Sequence, residues 1–346
     1  MSDIYPFFDG HNDALLRLWI NPAQDPAAAF IAGTPDGHLD LPRARQGRLA
    51  GGLFALFVPP VSYIAHIRQQ TGEAIAAQHQ PAQIVREQAA ILQAIAAQSH
   101  GQATICRTAG EIEQAMHSGA LAMVMHLEGG DALDSEGELL DELCAQGLRS
   151  LGPFWNLPNR FGEGVNGNFP ASPDTGAGLT AEGIALIKTC NQRRILIDVS
   201  HMNEKAFWDT ARLSDAPLVA THSNAHQLCP QPRNLTDRQL DAIRDSDGLV
   251  GVNFGTAFLR ADGKRDGKTA VAEIVKHLSY LADRIGIERV ALGSDFDGVN
   301  VPDALHDVAG LPRLADALAA AGFSAACQQK MAWRNWLRVL KQTWGE

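Results

Sequence analysis

The stretch Ile195-Leu-Ile-Asp-Val-Ser-His201 decides the reading of the fold. Its first five residues are a short β-branched run, apolar but for Asp198, and Ser200 and His201 close it. A helical period from Thr180 to Arg193 precedes it, and Asn203 follows as a candidate N-cap of the next helix. Helix, short strand, polar corner and capped helix in succession imply a βαβ unit with parallel strands. The same pattern recurs at Tyr5 to Gly10, Gly52 to Val58, Ala120 to Leu127, Leu148 to Phe154, Leu218 to Thr221, Leu249 to Asn253 and Arg289 to Gly293. With 195–199 these make eight runs, the number that closes a barrel. The predicted fold is therefore α/β, a (β/α)8 TIM barrel occupying residues 1–346 as a single domain, with loop insertions on its C-terminal rim.

Between the runs, Pro81 to Ala97 reads as a helix rich in Ala, Gln, Ile and Leu. Thr180 is expected to cap the helix that carries Glu182 in its first turn, and Thr236 and Ser324 are further cap candidates. Leu15 to Leu49, with Pro22, Pro26, Pro35 and Pro42, reads as a loop-rich insertion after the first strand. Leu314 to Ala326 reads as two surface helices broken at Gly322 to Ser324.

The bulk numbers exclude several classes. With 346 residues, 45% hydrophobic, the chain can bury a large core. Lys and Arg total 29 against 39 Asp and Glu, a formal charge of −10, and no basic block stands out, so nucleic acid is not an expected ligand. Five scattered cysteines show no C-x-x-C pairing, which argues against a disulfide framework or thiolate metal site and for a reducing cytoplasm. The N-terminal residues do not read as a secretory signal, and apolar stretches such as Leu53 to Val61 are too short to span a membrane. No G-x-S-x-G and no dinucleotide fingerprint is present.

The chemistry-bearing residues fall at strand ends. D-G-H-N-D (9–13) ends the first run, H-L-E-G-G (126–130) the third, D-V-S-H (198–201) the fifth, T-H-S-N (221–224) the sixth and G-S-D-F-D-G (293–298) the eighth. In a barrel those ends share one rim. His11 and Asp13, two residues apart on extended backbone, project to one side and can share a metal. Glu128 has two oxygens and can bridge that ion to a second one held by His201 and His222. Nitrogen and oxygen donors without thiolate favour zinc, two ions per chain, with manganese or cobalt as the alternatives. Two close ions activate water for hydrolysis, and Asp295 is suited to move its proton. Asp297 is assigned a structural place. His126 lies deeper in its strand and His226 falls in a loop. His38, His66, His79, His100, His117, His277 and His306 default to solvated surface.

With those motifs in place, and with R-N-L at 233–235, V-N-F at 252–254 and G-S-D-F-D-G-V at 293–299, the sequence resembles the membrane (renal) dipeptidase family of zinc peptidases over nearly its whole length. The resemblance implies that His11 and Asp13 hold the first zinc, Glu128 bridges, His201 and His222 hold the second, and Asp295 is the proton shuttle. It implies that Arg233 grips a substrate's terminal carboxylate, a task a planar guanidinium fork suits. Mammalian members carry a substrate-binding histidine where this chain has Trp155, which can offer only one indole N–H. The expected activity is hydrolysis of dipeptides, including those with a C-terminal D-residue. The alternative is an amidohydrolase of N-acyl amino acids or lactones, and a catalytically silent barrel is the third reading. The sequence does not disclose the oligomeric state; a homodimer is the assembly common among soluble enzymes.

Overall fold

The computed structural model describes residues 5–20, 23–60 and 80–345. Its strands are β1 (Phe7–Asn12), β2 (Leu49–Phe57), β3 (Ala103–Ile105), β4 (Leu121–Glu128), β5 (Leu148–Gly152), β6 (Pro158–Asn159), β7 (Gly162–Glu163), β8 (Leu196–Ile197), β9 (Val219–Ala220), β10 (Leu249–Val252) and β11 (Val290–Leu292). Two parallel arcs, β1-β2-β4-β5-β8 and β9-β10-β11, supply the eight runs read from the sequence.

Two seams join the arcs. At one, Asp198 bridges Val219, and Val199 N donates to Val219 O at 2.8 Å. At the other, Asn12 bridges Phe296, Asp295 N donates to His11 O at 3.0 Å and Asp13 N to Phe296 O at 2.8 Å. The barrel thus closes through the same strand ends that carry the candidate site residues.

Two strand features were not anticipated. β3 takes one edge of β4 at Leu121 to Met123 before β5 takes it from Met125 to Glu128. It has three residues and is only partly buried, so it gives no apolar run to read. β6 and β7 form an antiparallel hairpin just beyond β5.

The barrel is filled by inward residues, among them Phe8, Leu53, Val124, Leu196, Val219 and Leu249, and closed below by the final helix, Asn335–Trp344. Trp336 is fully buried there, and its Nε1 donates to Leu292 O at 2.9 Å. Asn335 Nδ2 reaches the carbonyls of Ile287 and Val290 at 2.7 and 2.8 Å, tying the helix to β11. Gly10 makes the fit possible, because a Cβ there would lie 2.3 Å from the Trp336 ring and 2.4 Å from Thr221 O.

The region from Leu15 to Leu49 is not mainly loop. It holds helices Ala14–Ile20, Pro26–Ala32 and Leu41–Gln46. Pro26 and Pro42 sit in first turns, where a missing N–H costs nothing, and Asp25 and Asp40 cap those turns. Two of the prolines that suggested loops, Pro26 and Pro42, mark helix starts, while Pro35 sits in a bend; Pro22 lies outside the described residues. Thr180, Asn203, Thr236 and Ser324 cap as expected, accepting from the N–H groups of Gly183, Ala206, Gln239 and Cys327. Helices Pro81–Gln98, Leu311–Ala320 and Ala325–Gln329 also follow the sequence reading.

Removing the barrel's floor has a measurable cost. Trp336→Ala is expected to lower unfolding free energy by about 3–5 kcal/mol through the cavity it opens, read as a lower midpoint in chemical denaturation.

Candidate metal centre

Each candidate ligand is a strand-end residue turned into the barrel mouth. His11 Nε2 lies 3.5 Å from Glu128 Oε2 and 3.7 Å from Asp13 Oδ2. The other Glu128 oxygen, Oε1, lies 3.0 Å from His201 Nε2 and 3.4 Å from His222 Nε2. Two donor groups result, His11/Asp13/Glu128 and Glu128/His201/His222, each with ligand atoms within 4.8 Å of one another. They share Glu128. A third overlapping group adds Asp295 to His11 and His222.

The residues fit a pair of divalent cations. His201 Nε2 and His222 Nε2 face one another at 3.0 Å, and the His11 and His222 rings stack with centroids 3.7 Å apart. Among the described residues, both ring nitrogens of His11 and Oδ1 of Asp13 are buried without a hydrogen-bond partner, a costly arrangement unless a ligand supplies one. Burial, with the neighbouring Glu128 and Asp295 charges, pushes the Asp13 carboxyl up to about 8 against the pull of His11. Burial also opposes the Glu128 charge, but His11 and the three imidazole contacts win and hold it well below its ordinary value. His222 and His201 are driven down by burial, aided at His222 by the His11 charge and at both by Arg233, which leaves them neutral as metal ligation requires. The pocket is short of positive charge, and its donors are nitrogen and carboxylate oxygen, the set that suits zinc.

Asp295 occupies a left-handed backbone position, φ 60°. Asn253 Nδ2 donates to its Oδ2 at 2.7 Å, while Oδ1 lies on the side of Asp13, beside Gly298. The Asn253 amide is itself oriented, because its Oδ1 accepts from Gly255 N at 2.7 Å. Arg233 is buried, with guanidinium bonds to Ser223 Oγ at 2.7 Å and His222 O at 2.9 Å, and its Nε has no partner among the described residues. Trp155 is half-buried, its ring 5.5 Å from Phe57 and 6.2 Å from His201. It walls the site beside the His201/His222 pair.

Other histidines sort as follows. His126 lies one layer below the ligands, 2.8 Å from Ser150 Oγ, and burial holds its pKa down to about 4. His226 Nε2 meets Ala171 O at 2.9 Å in a loop. Asp297 accepts from His38 N at 2.5 Å and pairs with Arg17 Nε at 3.1 Å, anchoring the 34–38 loop. Surface is the wrong default for His277, which is buried with Ala225 N donating to Nδ1 at 3.2 Å and Nε2 at 3.0 Å from Leu259 O. His38 is half-buried, and His66 and His79 lie outside the described residues.

The sequence reading missed Asn253 and Asn156. Asn253 stood in the quoted V-N-F motif without a role; Asn156 lies 2.7 Å from His201 Nδ1, next to the Trp155 that drew attention instead.

The family model described as membrane dipeptidase matches residues 2–344. An uncharacterized Klebsiella pneumoniae protein from the pqqA 5′ region is 60% identical over 264 residues, covering 76% of this chain and 97% of the relative. The crystal structure of a metallo peptidase from Rhodobacter sphaeroides, liganded with a phosphinate mimic of the dipeptide L-Ala-D-Ala, superposes with TM-score 0.93 at 44% identity, over 99% of this chain and 100% of that one. That of dipeptidase AC, also a metallo peptidase, does so with TM-score 0.91 at 43% identity over 99% of each.

Gly298 tests how tightly the carboxylates are seated. A Cβ there would lie 2.1 Å from Asp13 Oδ2 and 2.6 Å from Asp295 Oδ1. Gly298→Ala is expected to weaken metal retention about tenfold or more, measured as metal content after dialysis against a weak chelator, with the circular dichroism spectrum unchanged.

Proposed function

The chain belongs to the membrane dipeptidase family of metallopeptidases, and from that premise we propose that it hydrolyses dipeptides with two zinc ions at the shared-carboxylate centre. The observation that carries the two-ion reading is the division of Glu128, one oxygen facing His11 and the other facing His201 and His222. His11 and Asp13 would hold one ion, His201 and His222 the other. Bound there, the pair supplies a water of lowered pKa and polarises the scissile carbonyl.

The chain's own residues do the rest. Asp295 Oδ1 takes the proton of the attacking water and returns it to the departing amine nitrogen, while Asn253 holds Oδ2 still. Arg233, buried with an unpartnered Nε, receives the free carboxylate of the dipeptide, an anion that would complete its hydrogen bonding. Trp155 and Phe57 form an apolar wall that excludes water beside the reacting bond. A C-terminal D-residue is an expected substrate feature, consistent with the L-Ala-D-Ala mimic in the Rhodobacter sphaeroides neighbour. No helix among the described residues is long and apolar enough to cross a membrane. The five cysteines are free thiols, which supports a cytoplasmic location.

Asp295→Ala is expected to retain both zinc ions by elemental analysis while kcat on dipeptides falls by about 10²–10⁴; wild-type turnover would remove Asp295 from the mechanism. Arg233→Met is expected to cost about 10–100-fold in kcat/KM for dipeptides, the worth of charge-assisted hydrogen bonds, and little for dipeptide amides. Equal losses on both substrates would show that Arg233 does not read the carboxylate.

A further inference from the structure

The two halves of the centre are supported differently on the side away from the donors. Thr221 Oγ1 donates to Asp198 Oδ2 at 2.5 Å and lies 2.7 Å from His222 Nδ1. A hydroxyl has one proton. Since it goes to the carboxylate, the oxygen accepts from His222, which places the imidazole proton on Nδ1 and leaves the Nε2 lone pair facing Glu128. Asp198 is itself fixed, its Oδ1 accepting from Ser200 N and Thr221 N, both at 2.9 Å. The second imidazole repeats the logic with another acceptor: Asn156 Oδ1 lies 2.7 Å from His201 Nδ1 and accepts its N–H, which keeps the proton on Nδ1.

His11 has no such support. Its Nδ1 is buried without a hydrogen-bond partner among the described residues, so no hydrogen bond on that side chooses its tautomer, and the ring is held there by packing against His222 and His126. Asp198 and Thr221 stand in the motifs that supplied His201 and His222, yet the function described above uses neither.

We propose that Thr221, backed by Asp198, and Asn156 are positioning residues that lock His222 and His201 in the metal-ready tautomer, making the Glu128/His201/His222 ion the tightly held one and the His11/Asp13 ion the exchangeable one. The proposal rests on the two-ion reading. A carboxylate–hydroxyl–imidazole relay of this kind also raises the basicity of the ligating nitrogen, and loss of such outer partners costs about 10–100-fold in metal affinity.

The test uses the zinc-loaded full chain and a competing chromophoric chelator. Wild type is expected to release its zinc in two classes, one weak and one tight. Thr221→Val, which removes the hydroxyl at nearly constant volume, is expected to weaken the tight class about 10–100-fold and leave the weak class unchanged; Thr221→Ser restores it. Asn156→Leu is expected to weaken the same class, and Asn156→Asp, which keeps an acceptor, to retain it. In ¹⁵N-histidine-labelled protein the His222 Nδ1–H resonance is expected to be protected from exchange in wild type and Thr221→Ser, and lost in Thr221→Val. A Thr221→Val protein that releases both ions as wild type does, or weakens both equally, overturns this proposal alone. A wild-type protein carrying fewer than two zinc ions overturns the two-ion reading and this proposal with it.

Discussion

Glu128 is the constraint on which the rest depends. A fully ionised carboxylate buried at a barrel mouth, with imidazole nitrogens at 3.0 to 3.5 Å around both oxygens, is expensive to desolvate and needs compensation in place. That compensation comes from three other strand ends, those that carry His11, His201 and His222. The barrel gathers them because its two seams pass through the same residues. Asp295 N on His11 O closes one seam, and Asp198, joined to Val219, closes the other while anchoring the end of β9 through Thr221. Closure of the fold and assembly of the donor set are one event, so a change that loosens a seam disturbs the chemistry as well as the stability.

The geometry has a local cost. His201, Asp295 and Asp297 all adopt positive φ, at 64°, 60° and 70°, a region that non-glycine residues seldom enter. Such positions cost roughly 1–3 kcal/mol each. They persist because each chain turn is over-determined: Asp295 by the bond to His11 and by Asn253, Asp297 by His38 and Arg17, His201 by Asn156 and by Val165 N, which donates to its carbonyl at 2.7 Å. The strain aims three side chains that regular strand geometry would have pointed elsewhere.

Much of this was legible in the residues. Strand cores announce themselves by apolar runs, caps by Thr, Ser or Asn at a helix start, and site residues by polar groups where a run stops. What was not legible shares one cause, dependence on a partner far away in sequence. β3 is a strand only because β4 offers an edge; His277 is buried only because Ala225 and Leu259 meet it. Asn253 and Asn156 act through side-chain bonds to residues 42 and 45 positions distant. Pro26 and Pro42 misled for the opposite reason, because a local signal for a break is equally a local signal for a first helical turn.

The last helix carries a consequence for biosynthesis. The candidate metal ligands His11 to His222 have all left the ribosome when little more than the first two-thirds of the chain exists. The strand that closes the seam beside His11, and the Trp336 helix that seals the cylinder beneath it, come later. A nascent chain therefore displays a set of metal-seeking side chains with no vessel to hold them. A stalled or truncated product would expose the apolar interior that the final helix covers.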